Sequence, residues 1–315
     1  MIWRKKTMRQ DTAAIQQLKT PRRHAPAVKK IWNVFWFLTI GFVSVLFVMP
    51  LILTICDSFM TETEIFYNYG AMLNLQSSTV YTADSVALKL IPDHVTFQQY
   101  IHTLFTSSEY LFKLWNSMIL TLPITAFQIV VALFAAYGFS RYDGRLKQII
   151  FLVYVILMLM PYQVTLVPNY IVSDTLGIVG TRWSIILPGI FSTFPVYLVT
   201  KIMKRIPQTY LEAARLDGAG EFQIFRYIAV PLCRNVVVSV ILLVFIDCWN
   251  MVEQPLLMLD DVQKQPLSVF LSQINSEDLG VAFAAAVIYM IPSLLLFLYG
   301  EEDLVQGMAY AGVKD

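Results

Sequence analysis

The chain has 315 residues, of which 57% are hydrophobic and only 14% charged, with a mean hydropathy of +0.60. Soluble domains carry about 25% charged residues, so the composition excludes an ordinary soluble fold and points to an all-α polytopic membrane protein. The net charge of +1 says little as a sum, but its distribution along the chain carries the orientation.

Residues 1–31 are expected to form a basic arm, with Arg4, Lys5, Lys6, Arg9, Lys19, Arg22, Arg23, Lys29 and Lys30. Its length, and that of the apolar run after it, set it apart from a cleavable signal peptide. The arm reads as a topology determinant drawn to anionic membrane lipid. Without interleaved aromatics it lacks a surface for reading bases, and no nucleic-acid partner is expected. Six apolar runs follow, at 32–55, 115–137, 149–170, 183–200, 236–259 and 281–299. Each is near the roughly 20 residues that cross a ~30 Å hydrocarbon core. Pro161, Pro168, Pro188 and Pro195 fall in or near the third and fourth runs. Prolines are tolerated in membrane helices whose neighbours satisfy the freed carbonyls.

Segment 56–110 is acidic and polar, with Asp57, Glu62, Glu64, Asp84, Asp93 and Glu109. It is expected to be a small extracytoplasmic subdomain, with HVTFQQYIHTLF (94–105) as a short amphipathic helix. A membrane core is expected over 111–300, including a polar loop at 201–235, and a tail over 301–315. Lysine and arginine are placed unevenly about the six runs. Only Lys89, Lys113, Arg182 and Lys264 fall on one side; all the others lie in the arm, the loops after the second and fourth runs, and the tail. The positive-inside rule therefore places both termini and the 201–235 loop in the cytoplasm.

Cys56, Cys233 and Cys248 are scattered and imply neither a disulfide framework nor a metal site. No glycine is followed by lysine, so there is no phosphate-binding GK[ST] loop. ATP, if it is used, must be bound by another chain. No internal repeat is evident.

The polar loop contains EAARLDGAGEFQIFRYIAVP (212–231). Pro207, Gln208 and Thr209 suit a helix start, and Gly218 suits a C-terminal cap that needs a positive φ. Ala219 and Gly220 complete a bend. A second short helix follows, with Phe222, Phe225 and either Ile228 or Ala229 on one face, and Pro231 marks its break. The product is a helix–turn–helix with a small-residue surface at Ala213 and Ala214 and an aromatic surface beyond. Residue chemistry leaves two readings open: docking in a partner's groove, or resting on lipid.

This stretch resembles the EAA loop of binding-protein-dependent ABC importer permeases, with Glu212, Ala213, Ala214, Gly218, Ile228 and Pro231 at the loop's spacing. AAYGFSRYDGR (135–145), LMPYQVTLVPNYI (159–171), LGIVGTRWSIILPGIF (176–191), DCWNMVEQPLLML (247–259) and VQGMAYAGVKD (305–315) resemble the carbohydrate-uptake branch of that family. The resemblance implies a type I importer permease fold: six transmembrane helices, both ends inside, in the bacterial cytoplasmic (inner) membrane. It implies a non-catalytic chain that moves a sugar or oligosaccharide inward with a second homologous permease and an extracytoplasmic solute-binding protein. Two ATP-binding cassette subunits would hold ATP and Mg, leaving no cofactor on this chain. In such machines ATP binding draws the ATPase pair together, drags the coupling loop and turns the cavity outward; hydrolysis resets it. The residues so assigned to ATPase coupling are Glu212, Ala213, Ala214, Asp217, Gly218, Phe222, Phe225, Ile228 and Pro231. Asn235, Asp247, Glu253, Glu301 and Glu302 depart from the family's usual residues.

Asp247 and Glu253 would sit in the fifth run, where a mid-bilayer carboxylate costs roughly 2.5–3.5 kcal/mol. On a continuous helix they would point about 240° apart. Either one lines the pathway, with Glu253 the preferred choice, or Asp247 pairs with a neighbouring helix and Glu253 sits at the outer interface. Trp249 and Asn250 are pathway candidates too, as a stacking face and an amide for a sugar, with core packing the alternative for Trp249. A different class, an ion- or proton-coupled secondary transporter or a polytopic membrane enzyme, would use Asp247 and Glu253 as its sites.

Overall fold

The computed structural model describes residues 26–69, 88–273 and 279–312, and every regular element among them is helical. Most of the basic arm, Asp84 and Lys314 lie outside the described residues. The chain divides after Leu53 into two compact units. The first unit contains most of helix α1 (Pro26–Asp57). Trp32, Phe35 and Trp36 touch one another near its start, with ring centroids 5.9–6.1 Å apart. Such an aromatic group suits a membrane–water boundary.

The second unit holds α2 (Glu62–Tyr69) and α3 (Gln98–Ile101), which runs into a π turn at His102–Thr106. Then come α4 (Ser108–Arg141), α5 (Arg145–Met158), α6 (Tyr162–Thr175), α7 (Trp183–Ile190) and α8 (Thr193–Met203). Next are α9 (Gln208–Leu216), α10 (Glu221–Leu232, with a π turn at Phe225–Ala229), α11 (Arg234–Trp249) and α12 (Glu253–Met258). The last are α13 (Leu267–Ser272) and α14 (Leu279–Gly312). The amphipathic helix expected from residue 94 thus begins only at Gln98.

α4 is the organising element. Its 34 residues extend about 50 Å at 1.5 Å per residue, and α7, α8, α11 and α13 pack along it. Toward its middle, Leu120 and Ile124 pack with Ile185, Ile186, Met258 and Leu259. Nearer its C-terminus, Ile129, Ala136 and Tyr137 pack with Val199, Met203, Val236 and Val240. α11 also lies along α14, where Gly300 and Gly307 replace side chains that would strike Leu242 and Ser239. Small residues at such crossings let membrane helices approach closely. Ser239 Oγ uses that closeness to donate to the Asp303 carbonyl at 2.9 Å.

Four of the six expected spans are helical segments long and apolar enough to cross a membrane: Lys30–Asp57, Ser108–Arg141, Trp183–Met203 and Leu279–Val305. The other two are bent pairs. The third run is α5 and α6 meeting at 106°, because Pro161 cannot donate to the helix and its ring would clash one turn back. The fifth run is corrected more sharply. It was expected to reach residue 259, but α11 ends at Trp249 and joins α10 at 76°. In a continuous helix Pro255 would strike the Met251 carbonyl, so the chain breaks and restarts as α12.

Candidate functional site

The EAA stretch forms a hairpin of α9 and α10. α9 closes with paired C-terminal bonds, Ala219 N to Ala214 O at 2.9 Å and Gly218 N to Arg215 O at 3.0 Å. That closure requires a left-handed residue after the cap, and Gly218 takes φ +86°, as expected. Gly220 N then donates to the Gln223 side-chain oxygen at 2.8 Å, starting α10.

The hairpin has an anchored face and a free one. Leu211 is 1% exposed and Ile224 0%, and both lie in the core with Phe225 and Ala229. Phe225 stacks on Phe134 at 4.8 Å and meets Tyr137 edge-on at 5.2 Å. Glu212, Ala213, Asp217, Gly218 and Pro231 are exposed, whereas Ala214 and Ile228 are half-buried. The expected aromatic surface is corrected here. Phe222 is 61% exposed while Phe225 is 8%, so the two rings do not share one outward face. The π turn at Phe225–Ala229 abandons the 3.6-residue period on which that expectation rested. The outward apolar residues are Tyr210, Leu216, Phe222, Tyr227 and, at the end of α10, Leu232. At the bend and along the start of α10 lies an open concavity of about 360 Å³ lined by Asp217, Gly218, Ala219, Gln223, Ile224, Tyr227 and Ile228.

Glu221 was missed by sequence reasoning. Its Oε1 accepts Arg215 Nε at 2.8 Å and its Oε2 accepts the Tyr137 hydroxyl at 2.8 Å. Arg215 first, then Tyr137, hold its carboxyl below the usual carboxylate range, so it is charged at neutral pH. The available signal was an Arg and a Glu flanking the glycine bend at the facing ends of two helices.

At the other end of α4, Asn116 Nδ2 donates to the carbonyls of Gln263 (2.6 Å) and Gln265 (3.2 Å), and its Oδ1 accepts from Arg182 at 2.7 Å. Ser117 Oγ accepts the Leu267 amide at 3.0 Å, and Lys113 Nζ reaches the Val262 carbonyl at 3.3 Å. Together they tie the 259–267 connection to α4. Sequence reasoning missed them, although Lys113, Asn116 and Ser117 recur at helical spacing beside an otherwise apolar run.

Trp249, offered as a stacking face for a sugar, is a core side chain. It is 1% exposed, stacked against Phe245 at 5.4 Å and Tyr289 at 5.1 Å, with Nε1 donating to the Tyr289 carbonyl. Asn250 is exposed, and its amide donates to the Ile246 carbonyl at 2.9 Å. Asp247 and Glu253 are both exposed. The break after Trp249 voids the angular argument for separate faces, because the two carboxylates do not share one continuous helix. Gln163 Nε2 sits 3.3 Å from each oxygen of Glu253.

A family model described as binding-protein-dependent transport system inner membrane component matches residues 128–301. The chain is 25% identical over 286 residues to the arabinooligosaccharides transport system permease protein AraQ of Halalkalibacterium halodurans, covering 89% of this chain and 96% of that one. It is 28% identical over 197 residues to the lactose transport system permease protein LacG of Rhizobium radiobacter, covering 62% and 72%. Its fold is similar to a chain in the crystal structure of a bacterial ABC transporter involved in the import of the acidic polysaccharide alginate. That likeness has a TM-score of 0.72 at 19% identity, covering 90% of this chain and 99% of that chain. At that identity the likeness speaks for the fold alone.

Proposed function

The chain belongs to the binding-protein-dependent transport system inner membrane component family, and from that premise we propose that it is the permease of an importer for a sugar or oligosaccharide. The relatives' names, arabinooligosaccharides and lactose, support that solute class. Both termini and the α9–α10 hairpin lie in the cytoplasm of a bacterial inner membrane, as the lysine and arginine distribution favours. The chain is non-catalytic. ATP and its Mg belong to two partner ATPase subunits, a second permease completes the passage, and an external solute-binding protein delivers the solute.

The hairpin's mounting carries this reading. An amphipathic helix resting on lipid turns its apolar face to the membrane. Here that face, with Leu211 and Ile224, is spent on the protein core, and Glu212, Leu216, Asp217 and Phe222 are presented outward. Such a mixed surface on a firm base suits a groove on another protein, and load applied to it passes into α4 and α8. Asp247, Asn250 and Glu253 are exposed on this chain and costly in lipid, so they face the water-filled passage shared with the second permease.

The test is reconstitution with the co-purifying ATPase and binding protein, using lactose and arabinotriose as probes. Gly218→Val forces a β-branched residue into a left-handed conformation at about 1–2 kcal/mol. Glu212→Ala removes an outward charge and keeps the bend. Both variants are expected to insert at wild-type levels and to lose uptake, along with stimulation of ATP hydrolysis by loaded binding protein. Normal coupled uptake by both would make the hairpin a lipid-resting element and sink the docking role.

A further inference from the structure

Glu221 joins three helices through one carboxylate. Arg215, in the last turn of α9, occupies Oε1, and Tyr137, 8% exposed on α4, occupies Oε2. One turn beyond Tyr137, the Arg141 guanidinium lies 5.9 Å from the Tyr137 ring centroid. Arg141 Nη2 donates to the Met203 carbonyl at 2.9 Å, at the last residue of α8. An unbroken run of contacts therefore leads from the outward hairpin to the ends of α4 and α8.

The apolar anchor and this polar run restrain different motions. Burial of Leu211 and Ile224 resists separation, but the hydrophobic effect is non-directional and leaves sliding and rotation cheap. Between the two arms lies the Gly218–Gly220 bend, whose glycines have no Cβ to restrict the backbone. Hydrogen bonds to a carboxylate are directional and charge-assisted, so they can hold the angle of that bend. The Arg215–Glu221 pair spans the bend, and the Tyr137–Glu221 bond fixes the bent unit to α4. We propose that Glu221 is a positioning residue of the coupling step, locking both hairpin arms to α4 so that displacement of the hairpin turns α4 and α8 instead of flexing at Gly218. This rests on the importer reading above.

The experiment uses the complex purified with its ATPase subunits, with spin labels at Arg226→Cys on α10 and Tyr142→Cys. Both sites are exposed on this chain and lie outside the outward docking residues, and the background lacks the three native cysteines. The probe is ATP with vanadate, so no solute need be known. In the wild-type background the hairpin-to-α4 distance should stay single and unchanged on trapping, because the unit moves as one body. Tyr137→Phe and Glu221→Gln should each raise the share of a detached hairpin roughly tenfold on trapping, the equivalent of one hydrogen bond to a charged group. Their double variant should be no worse than Glu221→Gln alone, since the Tyr137 contact is one of the two that Glu221 makes. Absence of a co-purifying ATPase would overturn the importer reading and this inference with it. A trapped ATPase with variant distances like the wild type's, or a wild-type distance that itself shifts, would overturn this inference alone.

Discussion

The two ends of α4 are built from similar bonds and differ in what surrounds them. At the Lys113 end, Asn116 and Ser117 are 3% and 1% exposed and bind backbone groups of the 263–267 segment. At the Arg141 end, Arg215 and Glu221 have side chains 43% and 48% exposed and bind each other across a glycine bend. Water competes for the Arg215–Glu221 pair at the second end and for almost no bond at the first. A buried amide whose partners are main-chain atoms makes a fixed joint, because leaving any member unpaired is costly. A half-exposed ion pair adds little to net stability and serves to set geometry. The same helix thus carries a buried end that holds shape and a half-exposed end where an outward hairpin is fixed to it.

The largest expected effect breaks the buried end. Asn116→Leu strands the Gln263 and Gln265 carbonyls and deprives Arg182 of its acceptor. With ~1–3 kcal/mol per deserted buried group, the loss should be about 3 kcal/mol or more. It should be read as a lowered thermal midpoint of the detergent-solubilised chain; an unchanged midpoint would show that this joint bears no weight.

The matching change at the half-exposed end should cost far less. Arg215→Gln removes the charge opposite Glu221, and exposed pairs contribute little net stability. Its thermal midpoint should sit near that of the wild type. A shift as large as that of Asn116→Leu would erase the contrast between the two ends.

The smallest effect on stability is expected at Glu253, away from both ends of α4. Glu253→Gln keeps the volume and leaves an amide that can still meet Gln163. Assembly and thermal midpoint should hold, while the apparent uptake affinity or the preference among sugars changes. An identical uptake profile across lactose, arabinotriose and several other sugars would remove Glu253 from the passage.

Much of this was legible in the chain as written. Membrane class and helical content followed from apolar runs of bilayer length, since in lipid a backbone must satisfy its own hydrogen bonds and the helix does so locally. The left-handed Gly218 was legible for a similar reason: cap and bend chemistry involves residues a few positions apart. Tertiary contacts decided the rest. Whether Trp249 met a sugar or the core depended on Tyr289, forty positions away, and the inward facing of Phe225 depended on Phe134 and Tyr137 of a distant helix. Glu221 acquired a role only because Tyr137 and Arg215 arrive at its two oxygens from different helices. Local geometry is written in periodicity and caps, because its partners are neighbours in sequence. A buried face or a shared carboxylate is set by which distant helices meet, and that is fixed only when the bundle closes.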